Sequence, residues 1–177
     1  PLCHPAYGYD MKDKRYYPNA DAEWVRWVFD AFNGGMGMRA IARHLADKGV
    51  KTYRGGIPDN RFVEYMLNNP VYIGKIRWSK DGRAASPRKY DDPSIITVDG
   101  LHEPLIDLET WDKAQTRLRQ IKATHGKYQR REQPVEFMLK GLVRCSACGS
   151  TLVLISTACP SIQCHSYNRG VCKVSHS

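Results

Sequence analysis

The sequence predicts an α+β chain: a mostly helical body with a small β-sheet, linked to a small β-ribbon. Three observations predict it. Four segments before residue 125 repeat apolar residues at helical spacing. Short alternating stretches stand between the third and fourth of them. From Val135 onward the composition shifts to short strands, Cys, Ser and Gly. The division this predicts is a body over 1–122, a basic linker over 123–134 and a ribbon over 135–177. A chain of 177 residues is long enough for one domain and a small satellite.

The first helix is "NADAEWVRWVFDAFNGG". Asn19 or Asp21 caps it, Trp24, Val25, Val28, Phe29 and Phe32 form its apolar stripe, and Gly34-Gly35 ends it. The second is "GMRAIARHLADKGV", with Met38, Ile41, Ala42 and Leu45 on one face. A turn-rich connector, "KTYRGGIPD", leads to the third, short helix. Pro58 or Asp59 opens that helix, Phe62, Val63, Met66 and Leu67 face inward, and Pro70 closes it. "VYIGKIRWS" alternates as a strand, and "SIITVDGLHEPLID" holds a second strand and a turn. "LETWDKAQTRLRQIKATHG" is the fourth helix, burying Trp111, Ala114, Leu118 and Ile121. "KYQRREQP" is a charged linker, and "GLVRC" and "TLVLIS" are expected to pair as a hairpin.

The formal net charge is +9, and its placement is informative. Residues 1–112 hold 16 Lys/Arg against 16 Asp/Glu. Residues 113–133 hold seven basic residues against Glu132, and 134–177 hold four against Glu136. A neutral body with a basic strap and tail has the charge layout of a polyanion binder; a solvated basic helix face is the plainer reading. No stretch approaches the roughly 20 apolar residues of a membrane span. The chain opens on "PLCHPAYGYD" without Met and reads as the middle of a longer protein. His4, Asp10, His102 and Glu103 are its loose acid and histidine groupings, and none has the spacing of a metal-nuclease site.

The cysteines carry the most specific signal. Cys145-x2-Cys148 places two thiols across a tight turn with Gly149 after them, the pattern of a zinc knuckle. Cys164 and Cys172 supply the second pair. Four thiolates around Zn2+ make a closed structural site, and a segment of about 40 residues needs such a staple to fold. Cys159, His165 and His176 are weaker ligand candidates, and Cys3 is a lone thiol. A disulfide framework stays open as an alternative, although no even framework runs through the chain. A redox Cys-x-x-Cys lacks its usual βαβ surroundings.

The order of "HPAYGYD", "GMGMRAIARHLADKGVKTYRGG", "FVEYMLNNPVYIGKIRW" and "GLVRCSACGS…C…GVC" resembles the carboxy-terminal part of large serine recombinases, the phage integrases, transposon recombinases and sporulation excision enzymes. The resemblance spans nearly the whole chain. It implies binding of double-stranded attachment-site DNA for integration or excision of a mobile element, with other recombinase subunits as partners. Strand cutting by a serine nucleophile belongs to an amino-terminal catalytic domain in such enzymes. No nucleophile segment with its supporting arginines is read in this stretch, so no catalytic residue is expected here and the stretch is not expected to be an enzyme alone. The long coiled-coil arm of many family members is also not expected in this stretch. The expected location is cytoplasmic, on bacterial or phage DNA, with no membrane partner. The alternative is a free-standing zinc-containing DNA- or RNA-binding regulator.

On that resemblance the second and third helices are expected to form a helix-turn-helix variant with an unusually long connector. Its candidate DNA contacts are Arg54, Asn60, Arg61 and Tyr65, with Glu64 beside them. The strap contributes Lys127, Arg130 and Arg131, suited to a minor groove. Ten extended residues reach roughly 33 Å, close to one turn of DNA. The ribbon contributes Lys140, Arg144, Arg169 and Lys173.

Overall fold

The structure is a computed structural model, and it describes residues 5–78, 95–124, 138–156 and 161–175. The body begins with a hairpin that the sequence reading passed over. β1 (Tyr9–Lys12) pairs antiparallel with β2 (Arg15–Pro18), with Lys12 opposite Arg15. Its two-residue turn, Asp13 and Lys14, holds both residues at positive φ, 48° and 61°. That is the mirror-image turn that matches strand twist, built here without its usual Gly.

α1 (Ala22–Asn33) buries Ala22, Val25, Val28, Phe29 and Phe32 on one stripe. Asp21 stands at its N-cap without a side-chain cap bond, and Asn19 Oδ1 accepts from the Asp21 N–H instead (2.9 Å). α2 (Met38–Asp47) buries Ile41, Ala42 and Leu45. α3 (Asn60–Leu67) buries Val63, Met66 and Leu67. Its N-cap is Asp59, whose Oδ1 accepts from the Phe62 N–H at 2.9 Å, as Asp does at this position. Between α2 and α3 the connector folds on itself: the Thr52 N–H donates to the Gly56 carbonyl (2.9 Å) and the Gly56 N–H to Thr52 Oγ1 (3.0 Å).

One expected strand is half corrected. The segment "VYIGKIRWS" forms a 3-10 turn over Pro70–Ile73 before strand β3 (Lys75–Trp78) begins. Pro70 presets the turn and Asn69 Oδ1 takes the Val71 N–H, so the chain coils before it extends. β3 pairs antiparallel with β4 (Ile96–Asp99). α4 (Leu108–Thr124) closes the body, with Ala114 and Leu118 buried and Trp111 and Ile121 packed against the core. Polar clasps fix α4 in place: Gln115 donates to the Leu67 carbonyl (2.7 Å), and Asn33 donates to the Thr110 carbonyl (2.9 Å). Arg117 lies over the Phe32 ring (4.4 Å) while donating to the Gly35 carbonyl (2.6 Å). The buried Tyr72 hydroxyl donates to the Tyr7 carbonyl (2.9 Å), tying the 3-10 turn to the chain's first segment.

The ribbon departs from expectation in its pairing. "GLVRC" meets "TLVLIS" through a single bridge, Arg144 opposite Thr151, and a bond from the Leu152 N–H to the Val143 carbonyl (3.0 Å). The strand partner of β5 (Leu152–Ser156) is β6 (Ser161–Cys164), which runs directly into the short helical turn α5 (His165–Asn168). The chain turns over 138–142, where Gly141 takes φ 81° and the Leu142 N–H donates to the Leu139 carbonyl (3.1 Å), so the extended run before the knuckle is too short for a longer ladder. The described chain is therefore α+β, with three separate two-stranded sheets among its described residues.

Candidate nucleic-acid interface and metal centre

The ribbon's buried set is Cys145, Leu152, Cys164 and Cys172, flanked by half-buried Val143, Ile162 and Tyr167. One buried leucine cannot offset the ordering of about 35 residues. What gathers there instead is sulfur: the four Sγ atoms of Cys145, Cys148, Cys164 and Cys172 lie within 4.8 Å of one another. Cys148 and Cys164 are 3.5 Å apart, far beyond the roughly 2.05 Å of a disulfide, and all four are free. A tetrahedral zinc with bonds of about 2.3 Å needs sulfurs about 3.8 Å apart, so the cluster fits that ion.

The turn that builds the first pair is local. Gly149 takes positive φ (70°), and its N–H donates to the Cys145 carbonyl at 2.8 Å. The chain thereby reverses and aims both thiols the same way. The Ser150 hydroxyl and then its backbone N–H bond to Cys148 and bring its thiol down to about 6. With Ser150 donating to Cys148, Ser166 becomes the donor to Ser150 (2.6 Å), which joins the first thiol turn to α5. Burial pushes Cys164 up to about 12. Among the weaker ligand candidates, His165 is exposed and outside the cluster. Cys3, Cys159 and His176 lie outside the described residues.

The DNA-contact candidates fall into three sets. On the body, α3 buries Val63, Met66 and Leu67 and turns Arg61, Glu64, Tyr65 and Asn68 outward, the i, i+3, i+4, i+7 spacing of one helix face. Arg61 is exposed, and Asn60 and Tyr65 are half-buried. Arg54 is exposed on the connector beside exposed Lys48 and Lys51, so a basic rim runs from the end of α2 to the start of α3. On the ribbon, Lys140 and Arg144 are exposed. Lys127, Arg130 and Arg131 lie outside the described residues.

Arg169 and Lys173 are placed differently. Both reach back to the body. Arg169 pairs with Asp59 through Nη2 and through Nε (3.0 Å), and its carbonyl accepts from the Asn60 N–H (3.0 Å). Lys173 pairs with Asp47 at 2.7 Å. The guanidinium of Arg43 sits 4.7 Å from the centre of the Tyr167 ring and Arg39 5.9 Å from it. The sequence reading missed Arg39, Arg43, Asp47 and Tyr167 as contacts. Arg39 and Arg43 share an exposed-side i, i+4 spacing on α2 that is legible, but their partner lies 124 or more residues away and no local pattern points to it.

The comparisons agree with this architecture. The family model Recombinase matches residues 19–120, and the chain belongs to that family. A protein of Bacillus subtilis (strain 168) named "Putative DNA recombinase" is 30% identical over 164 residues, which is 82% of this chain and 32% of that protein. The chain thus spans about a third of that relative's length. Two solved structures share the fold. One, reported as "Crystal Structure of a LSR-DNA Complex", is 21% identical, with a TM-score of 0.53 over 95% of this chain and 51% of the other. The second, reported under "Sequence Requirements of the Listeria innocua prophage attP site", is 24% identical, with a TM-score of 0.50 over 95% and 68%. The fold of this chain is the one those two structures share. No helix among the described residues is long and apolar enough to cross a membrane.

Proposed function

We propose that this chain is the DNA-binding part of a large serine recombinase, recognising duplex attachment-site DNA for the integration or excision of a mobile element. The observation that carries the reading is the pairing of a Recombinase-family body with a four-thiol ribbon, in a chain whose whole cationic excess lies in its last 65 residues. The neighbours with this fold include a protein described in complex with DNA, which supports the same reading.

In this account the body (1–122) places the outward face of α3 against the major groove, with Arg61 and Asn60 nearest the bases and the Lys48–Arg54 rim on phosphates. The linker (123–134) follows the minor groove with Lys127, Arg130 and Arg131. The ribbon (135–177) adds Lys140 and Arg144 along a further stretch. Cys145, Cys148, Cys164 and Cys172 hold a structural Zn2+, which supplies folding energy to the ribbon and no chemistry of strand cleavage. Cutting and rejoining reside in a separate catalytic domain of the parent recombinase, whose other subunits share the site. The chain acts where that DNA is, in the cytoplasm.

Selection from a random duplex library, with zinc and again after chelation, tests the reading. The expected result is enrichment of one motif whose protected length exceeds one helical turn with zinc and shortens without it. Enrichment of no motif, with only weak length-dependent retention, would contradict it.

A further inference from the structure

The ribbon does not hang free of the body; it is seated on it, and the seat is built from the groups DNA would use. Asp59 works with both oxygens: Oδ1 caps α3 at the Phe62 N–H (2.9 Å) while Oδ2 receives Arg169. The first backbone N–H of α3, on Asn60, is taken by the Arg169 carbonyl (3.0 Å). Free N–H groups at a helix start are the ones that meet phosphates. Next to this end, Lys173 holds Asp47, and Arg43 covers Tyr167 while its Nη2 reaches the Cys172 carbonyl (3.4 Å). Gly170 (φ +86°) passes so close that an added Cβ would stand 2.9 Å from Arg39 Cγ. Four cations, Arg39, Arg43, Arg169 and Lys173, meet two carboxylates across this seam, and the buried Arg43 Nε has no hydrogen-bond partner. The seam is therefore rich in positive charge and short of acceptors.

We propose that the α2–α3 face is a docking surface for the ribbon's own α5 turn, and that phosphodiesters of duplex DNA compete for it. Asp59 and Asp47 occupy Arg169 and Lys173 in the free protein; phosphates replace both carboxylates when DNA binds, and the start of α3 is uncovered. The inference rests on the function proposed above. Its chemistry is an exchange of acceptors around the same cations. The Lys173–Asp47 pair is suited to exchange, because its two side chains are 73% and 55% exposed and pairs so exposed hold weakly in water. Arg169 is 47% exposed and open to a phosphate, while the buried Asp59 keeps its bond to the Phe62 N–H when Arg169 leaves. Apparent DNA affinity is then reduced by the fraction of molecules that are closed.

The test compares Asp47→Asn/Asp59→Asn with wild type and with a charge-matched control, Glu23→Gln/Asp112→Asn, on exposed acids of α1 and α4. Asn caps a helix as well as Asp does, so α3 keeps its start. DNA affinity of the paired variant should rise roughly threefold to tenfold over wild type, and the control should move less than about twofold. NMR should show contacts between the Tyr167 ring and the Arg43 side chain in the free wild type, and their loss both in the paired variant and in wild type saturated with DNA. Equal affinities of the paired variant and the control would overturn the competition, as would Tyr167–Arg43 contacts that persist in wild type saturated with DNA. Failure of every variant to bind DNA would overturn the proposed function itself, and the inference with it, even where Tyr167–Arg43 contacts still report the docked ribbon.

Discussion

Cys148 and Cys164 sit 3.5 Å apart and are driven in opposite directions, the first toward thiolate by Ser150, the second toward thiol by burial. Zinc takes thiolates, so binding must release the Cys164 proton. Apparent zinc affinity should rise with pH through the acid and neutral range, because binding releases thiol protons. Competition against a chelator of known affinity, repeated across that range, reads this directly; a flat profile would remove thiols as the ligands. Asp59 yields a second residue-level expectation. Asp59→Ala removes the α3 cap and should cost about 1 kcal/mol in thermal unfolding, whereas Asp59→Asn should cost a few tenths at most through the cap. The cysteines and the cap were legible in the sequence because each is a short-range pattern. The seam that Asp59 makes with Arg169 was not, since an Arg near a terminus looks the same whether it faces phosphate or a carboxylate 110 residues away.

The helices were legible because each carries its stripe within one stretch of chain: Val25, Val28, Phe29 and Phe32 in α1, Ile41, Ala42 and Leu45 in α2. The small sheets were harder. The β1–β2 turn is Asp13-Lys14 and lacks the Gly that marks such hairpins, and Pro70 converts an apparently alternating run into a coil. In the ribbon β5 was legible in "TLVLIS", but its partner β6 was not, and "GLVRC" turns at Gly141 (φ 81°) before it can extend as a strand. Element packing separates stability from function. Leu45→Ala empties a fully buried site under α2 and should cost about 2–5 kcal/mol in denaturant unfolding. Arg61→Ala on the exposed face of α3 should leave stability within about 0.5 kcal/mol and weaken DNA binding. A large loss of stability from Arg61→Ala would take it off the outward face.

At the scale of the whole molecule, two kinds of cohesion coexist. The body is held by a continuous apolar core running from Tyr9 through Phe29, Leu45 and Met66 to Leu118. The ribbon is held by sulfur, and the two meet over a polar, cation-rich seam. Stripping zinc should therefore unfold the ribbon and leave the helical signal of α1–α4. Arg130→Ala/Arg131→Ala should flatten the salt dependence of DNA binding by about two counterions, if the strap lies on phosphates. The most direct test of the whole account is DNA affinity measured against salt concentration on one duplex, with zinc and again after its removal. With zinc, six to eight neutralised phosphates predict a log–log slope of about −5 to −7, and zinc removal should weaken binding and make the slope shallower while the body stays helical. An unchanged affinity and slope after zinc removal, or no binding at low ionic strength, would contradict it.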